Sequence, residues 1–134
     1  MEKKFTYSIS IRVRYADTDQ MGYVYYGRYA EFFEVARVEA LRSVGLSYKS
    51  LEANGLMLPV YDYHVKYLSP VYYDEQIEVQ SNVVLRSSSR IQFDHQLISE
   101  QKVKSLATVV LVCVDAKTMK PIVVPKEVKN AFKI

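Results

Sequence analysis

Apolar and polar residues alternate through the first segment of the chain. Phe5, Tyr7, Ile9, Ile11, Val13 and Tyr15 interleave with Thr6, Ser8, Ser10, Arg12 and Arg14, and a period of two predicts a strand with one buried face. From Tyr29 the period changes: Tyr29, Phe32, Phe33, Ala36, Ala40, Leu41 and Val44 recur three and four apart, with Glu31, Glu34, Arg37, Glu39 and Arg42 assigned to other faces. This spacing predicts one amphipathic helix of about 25 Å. Gly45 is a natural stop for it, Arg42 suits its last turn, and Ser47 can cap a short second helix ending near Gly55.

Alternation then returns. Tyr61, Tyr63, Val65 and Tyr67 form one predicted strand, Ile77, Val79, Val83 and Leu85 a second, and Ile91, Phe93, His95 and Leu97 a third, the last two separated by Arg86-Ser87-Ser88-Ser89-Arg90. Leu106 to Val114 has Thr108 as its one polar member, which predicts a strand at the centre of a sheet or covered on both faces. A short segment from Pro121 to Pro125 and a terminal helical turn complete the chain. One early helix with five or six mostly antiparallel strands is an α+β arrangement, and the helix can bury its apolar face only against the sheet. A lone helix covers a sheet incompletely, so homo-oligomerisation is expected.

The 134 residues suit one domain, 1–134, with a sizeable core. With 49% apolar residues, 25% charged residues and few glycines or prolines, order is expected from end to end. The single Cys113 cannot form an internal disulfide, and MEKKFTYSIS has no apolar signal core, so a cytoplasmic protein is expected. No apolar run approaches the ~20 residues of a membrane span. The net charge of +3 comes from scattered lysines and arginines, which argues against a nucleic-acid partner.

The chemistry concentrates in Tyr15 to Tyr29, YADTDQMGYVYYGRY, where two acids and two glycines precede the start of the long helix. Free backbone N–H groups at such a start can bind a developing negative charge. A calcium loop counted from Asp17 would need an oxygen ligand at Met21 and a glutamate at Arg28, so calcium is rejected. The acids could also simply cap a turn. His64 and His95 lie in strands without zinc-binding spacing, there is no GxSxG elbow, and Cys113 sits in an apolar strand. No metal and no cofactor is expected.

Tyr15-Ala16-Asp17-Thr18-Asp19, then Gly22, Val24-Tyr25 and the aromatic-rich helix, resemble the 4-hydroxybenzoyl-CoA thioesterase family of hot-dog-fold acyl-CoA thioesterases. The resemblance extends through Tyr67-Leu68-Ser69-Pro70, Asp74, the Ser87 to Ser89 turn, the Ala107 strand ending in Val114-Asp115, and Pro121 to Pro125. It implies a hot-dog fold, one long helix wrapped by a five- to six-stranded sheet, and hydrolysis of an acyl-CoA or acyl carrier protein thioester to free acid and thiol. Asp19 is then the catalytic carboxylate, as nucleophile or as general base on water, while Asp17 shapes the loop. The carbonyl would be polarised by the N–H groups of Tyr26 and Gly27. Many relatives carry His or Asn at the position of Tyr26 and Asn or Ser at that of Arg28, so the side chain of Tyr26 is given no chemical part. Tyr67 is expected to contact substrate, and Arg86, Ser88, Ser89 and Arg90 to lie near the nucleotide of CoA, although ordinary hairpin charges remain open for the arginines. The resemblance further implies a dimer or dimer of dimers, a homotetramer, with sites at a dimer interface. A non-catalytic acyl-CoA binding or regulatory protein of the same fold is the alternative.

Overall fold

The computed structural model describes residues 5–134. Strand β1, Phe5–Arg12, leads into a single 3-10 turn, Tyr15–Asp17, and a second, Tyr26–Arg28, runs directly into helix α1, Tyr29–Ser43. A short helix α2, Tyr48–Ala53, is capped by the Ser47 hydroxyl, which accepts from the Ser50 N–H at 3.1 Å. Strands β2 (Leu56–Met57), β3 (Val60–Tyr67), β4 (Gln76–Leu85), β5 (Arg90–Ser99), β6 (Lys102–Val112) and β7 (Val114–Asp115) follow, and helix α3, Lys126–Phe132, closes the chain.

The main sheet has the order β1-β4-β5-β6-β3, with every neighbouring pair antiparallel. Strand β2 pairs instead with β7 in a separate ribbon. This is the expected α+β class, with one long helix on a five-stranded sheet. Helix α1 lies across the inner face and buries Tyr29, Phe32, Phe33, Ala36, Arg37, Ala40 and Leu41. Its first half packs with Val13, Val24, Val71, Ile77, Val79, Leu97 and Ala107. Its second half joins α2, α3 and the far ends of the strands around Phe93, Leu111 and Phe132. Ser81 and His95, directly opposite one another on β4 and β5, sit at the seam between these two clusters.

Four sequence expectations need correction. The first strand ends at Arg12 rather than Tyr15, because Asp17 accepts the Arg14 N–H and folds the chain into a turn, leaving Tyr15 79% exposed. The Leu106 to Val114 strand is divided at Cys113, whose N–H donates to the Ser89 carbonyl while Val114 pairs with Met57. Strand β3 does not bury one face: Tyr61, Tyr63 and Tyr67 are all exposed, since β3 is an edge strand that α1 covers only in part, through Tyr29 against Tyr67 and Phe33 against Tyr63. Arg37 is not on a polar face. It falls four residues after Phe33 and four before Leu41, inside the buried stripe, and is 6% exposed.

Candidate active site

Between β1 and α1 the chain makes a small hairpin in which Thr18 bridges Val24, and the Asp19 N–H donates to the Tyr23 carbonyl at 3.1 Å. Gly22 turns this hairpin at φ 84°, a left-handed conformation that costs other residues energy. The two aspartates end in different states. Asp17 is 1% exposed, and its carboxylate accepts the Arg14 N–H at 2.8 Å and the Arg14 guanidinium at 3.2 Å. Asp19 is half-buried; its Oδ1 accepts the Met21 N–H at 2.9 Å, and its Oδ2 has no hydrogen-bond partner among the described residues. One oxygen is therefore held by the hairpin and the other is left without a bond.

Asp19 lines a cleft of about 430 Å³ with Met21, Tyr23, Val24, Tyr26, Tyr29, Tyr67, Leu68, Ser69 and Pro70. The start of the helix forms one end of it. Within the 3-10 turn the first bonds are donated by Arg28, to Tyr25 at 2.9 Å, and by Tyr29, to Tyr26. The N–H groups of Tyr26 and Gly27 precede these bonds, at the positive end of the helix. A Cβ at Gly27 would lie 2.6 Å from the Tyr25 ring, so any larger residue there must displace that ring. From the opposite wall the Tyr67 hydroxyl donates to the Tyr26 carbonyl at 3.2 Å, and its ring meets Tyr29 edge-on at 4.9 Å between centroids.

Burial, with the neighbouring Tyr67, Glu75 and Tyr23, pushes the Tyr29 hydroxyl up to about 12. At neutral pH it is protonated and can donate a hydrogen bond but cannot act as a base. Burial likewise raises Tyr67. Cys113, pushed up to about 11 by burial, stays a thiol inside the core. Among the described residues no group of three or more His, Cys, Asp or Glu gathers to hold a metal ion, and no helix is long and apolar enough to cross a membrane.

The structure thus brings together Asp19, Tyr26 and Tyr67, with Gly27 adjoining. It does not bring Arg86, Ser88, Ser89 and Arg90 to them. Those residues occupy the turn between β4 and β5, at the far end of β4 from the Asp19 hairpin and about 30 Å away at the usual rise per strand residue. That turn is tied down locally: the Ser88 carbonyl accepts from Val124 and that of Ser89 from Cys113, Arg86 donates to Gln92 at 2.6 Å, and the Arg90 guanidinium stacks 3.9 Å over the Tyr61 ring. Arg28 pairs with Glu31 at 2.8 Å. Tyr29, a cleft wall, reads in the sequence only as an apolar helix position; its signal is its place in the first turn, two residues after Gly27.

A sheet wrapped on one long helix, with Asp19 in a cleft where that helix starts, is the architecture of the hot-dog-fold thioester hydrolases, and comparison with known proteins places the chain among them. The chain belongs to the thioesterase-like superfamily, whose family model matches residues 13–132. It is 38% identical over 127 residues to the acyl-CoA thioesterase YbgC of Haemophilus influenzae, covering 94% of this chain and 93% of that protein. It is 34% identical to the acyl-CoA thioester hydrolase YbgC of Escherichia coli, covering 92% of each. Among solved structures, the DHNA-CoA thioesterase from Staphylococcus aureus superimposes with a TM-score of 0.89 at 31% identity, over 96% of this chain and 89% of that one.

Proposed function

We propose that the protein hydrolyses an acyl-CoA to the free acid and CoA, with the Asp19 carboxylate as the reacting group. The observation that carries this is a single cleft lined both by Asp19, with one oxygen unengaged, and by the start of α1. As general base, Asp19 takes a proton from water as the water oxygen adds to the carbonyl carbon; as nucleophile, its oxygen adds first and water then cleaves the resulting anhydride. In either route the C–S bond breaks, the sulfur leaves as thiolate, and the developing oxyanion is held by the N–H groups of Tyr26 and Gly27. One such donor is typically worth ~3 kcal/mol in the transition state. Tyr67 supports the turn through the Tyr26 carbonyl.

The working unit is a homodimer, or a dimer of dimers. Support comes from β3, an edge strand with no neighbour on its outer side among the described residues, carrying the exposed Val60, Tyr61, Tyr63 and Tyr67. Two copies pairing β3 to β3 antiparallel would form one continuous sheet. Strand direction then sets the Arg86 to Arg90 turn of one copy at the same end of that sheet as Asp19 of the other. This supplies guanidinium groups near the cleft that a single chain keeps about 30 Å away.

The deciding experiment follows thiol release from a panel of acyl-CoA and acyl carrier protein thioesters. Asp19→Asn should lower kcat by roughly 10²- to 10⁴-fold with an unchanged circular dichroism spectrum. Near-full turnover by this variant would end the proposed role, and saturable binding by the native protein without thiol release would favour a binding protein.

A further inference from the structure

Helix α1 carries a buried charge that the proposed chemistry does not use. Arg37 is 6% exposed, its Nε has no hydrogen-bond partner, and it belongs to none of the ion pairs among the described residues. A guanidinium buried this far without a counter-charge is strongly unfavourable. The groups facing it are neutral at neutral pH. Tyr48 is raised by burial and partly drawn back by the charge of Arg37 and a hydrogen bond with it, a neutral partner that supplies no counter-charge; Tyr63 is pushed up to about 12 by burial and Tyr67; His95 is pushed down to about 3 by burial and then by Arg37 itself.

The acids near it in sequence are engaged elsewhere, with one exception. Arg28 holds Glu31 and Arg42 holds Glu39. Glu34, one turn before Arg37, is exposed and in no ion pair among the described residues. Yet Glu34 and Arg37 line the same cavity, about 430 Å³, with Val38, Tyr48, Leu58 and Val60. Arg37 and Glu34 form no ion pair with each other there. A cation and an acid therefore share one opening without meeting.

The opening adjoins Val60, the first residue of the unpaired edge strand β3, and Val60 is 53% exposed. Whatever extends the sheet at that edge also covers the cavity. Two copies joined antiparallel through β3 in one continuous sheet are related by a two-fold axis normal to it. Both α1 helices then lie on the same face of the joint sheet and run in opposite directions. In such an isologous contact, if residue i meets residue j, then j meets i.

We propose that Arg37 of each copy is neutralised by Glu34 of the other, in two symmetry-related ion pairs across the dimer axis. This rests on the dimer reading given above and adds to it the residues that fix which faces meet. The pairs supply the missing counter-charge twice over and disfavour contacts that leave Arg37 buried alone.

The arrangement predicts rescue in trans. Glu34→Arg alone sets two arginines against each other at both pairs, and Arg37→Glu alone sets two glutamates. Each variant should dimerise about a hundredfold more weakly than the native protein in sedimentation velocity, tenfold for each pair. Mixed in equal amounts, they form a heterodimer in which both contacts join opposite charges, so dimer should return. Glu34→Arg dimerising like the native protein, or a mixture that yields no heterodimer, overturns the pair. To cover failure of Arg37→Glu to fold, Arg37→Met, Glu34→Gln and their double variant complete a cycle: a double variant no weaker than the weaker single supports the contact, and additive losses overturn it. A native protein that sediments as a monomer removes the dimer reading with the pair, whereas a native dimer without rescue removes only the pair.

Discussion

Asp17 and Asp19 stand two residues apart and differ in what their oxygens already hold. Asp17 gives both oxygens to Arg14 and is sealed from solvent, so its loss is a loss of structure. Asp17→Ala should lower unfolding free energy by about 1–3 kcal/mol, the usual worth of hydrogen bonds to a charged group, read from the urea midpoint. Asp19→Ala should stay within about 0.5 kcal/mol of the native value while abolishing turnover. His95 gives a separate prediction at the same scale. Its ring stacks between Phe33 and Phe93, shares a 2.8 Å hydrogen bond with Ser81 Oγ, and has an unpartnered Nε2. Burial, with a smaller contribution from Arg37, pushes it from 6.5 down to about 3. Below pH 6.5 the unfolded chain therefore binds a proton that the folded protein refuses. Stability is fully present above 6.5 and is lost as pH falls toward 3, by about 1.4 kcal/mol per pH unit from this group. Replacing it by His95→Phe should remove that share of the slope in denaturant titrations between pH 6 and 4, and an unchanged slope would reassign the acid sensitivity to carboxylates.

In the proposed reaction the 3-10 turn from Tyr26 to Arg28 polarises the carbonyl, and this turn is held from two sides. Behind it, the Tyr25 ring occupies the space a Gly27 Cβ would need; across the cleft, the Tyr67 hydroxyl holds the Tyr26 carbonyl. Tyr67→Phe should reduce kcat roughly fivefold, the rate equivalent of ~1 kcal/mol, with little change in KM. Gly27→Ala should reduce it further, and Tyr25→Ala should restore part of that loss by freeing the space; no recovery would mean the turn is set by something other than this contact. The turn was legible in the sequence because glycine and aromatics preceded a strong helical period, and helix α1 was read almost to its ends for the same reason. The Arg37 position shows the limit of such reading. Residue type placed it with the charges, while its spacing from Phe33 and Leu41 placed it in the apolar stripe, and spacing decided. Strand order left no mark, since alternation records that a face is buried but not which neighbour buries it, and so the exposure of β3 and the distance between Asp19 and the Arg86 to Arg90 turn were both invisible.

At the scale of the whole molecule, the unfinished surface is the outer side of β3. Eight residues of edge strand, with Tyr63 and Tyr67 on the helix side and Tyr61 under Arg90, would in isolation invite unspecific pairing. Closed two-fold pairing uses that edge once and leaves no further copy to add at it. If the cleft is completed by the second copy, activity must follow assembly. Specific activity measured on serial dilution should hold constant and then fall, with its midpoint at the dissociation constant found by sedimentation on the same samples. Tyr63→Asp, which sets a charge on the inner side of the edge and is not itself a residue lining the cleft, should move both midpoints to higher concentration together, by about tenfold for a contact worth ~1.4 kcal/mol. Full specific activity in a fraction that sediments as monomer would show that one chain suffices, and the arginines of the β4 to β5 turn would then have no path to the substrate.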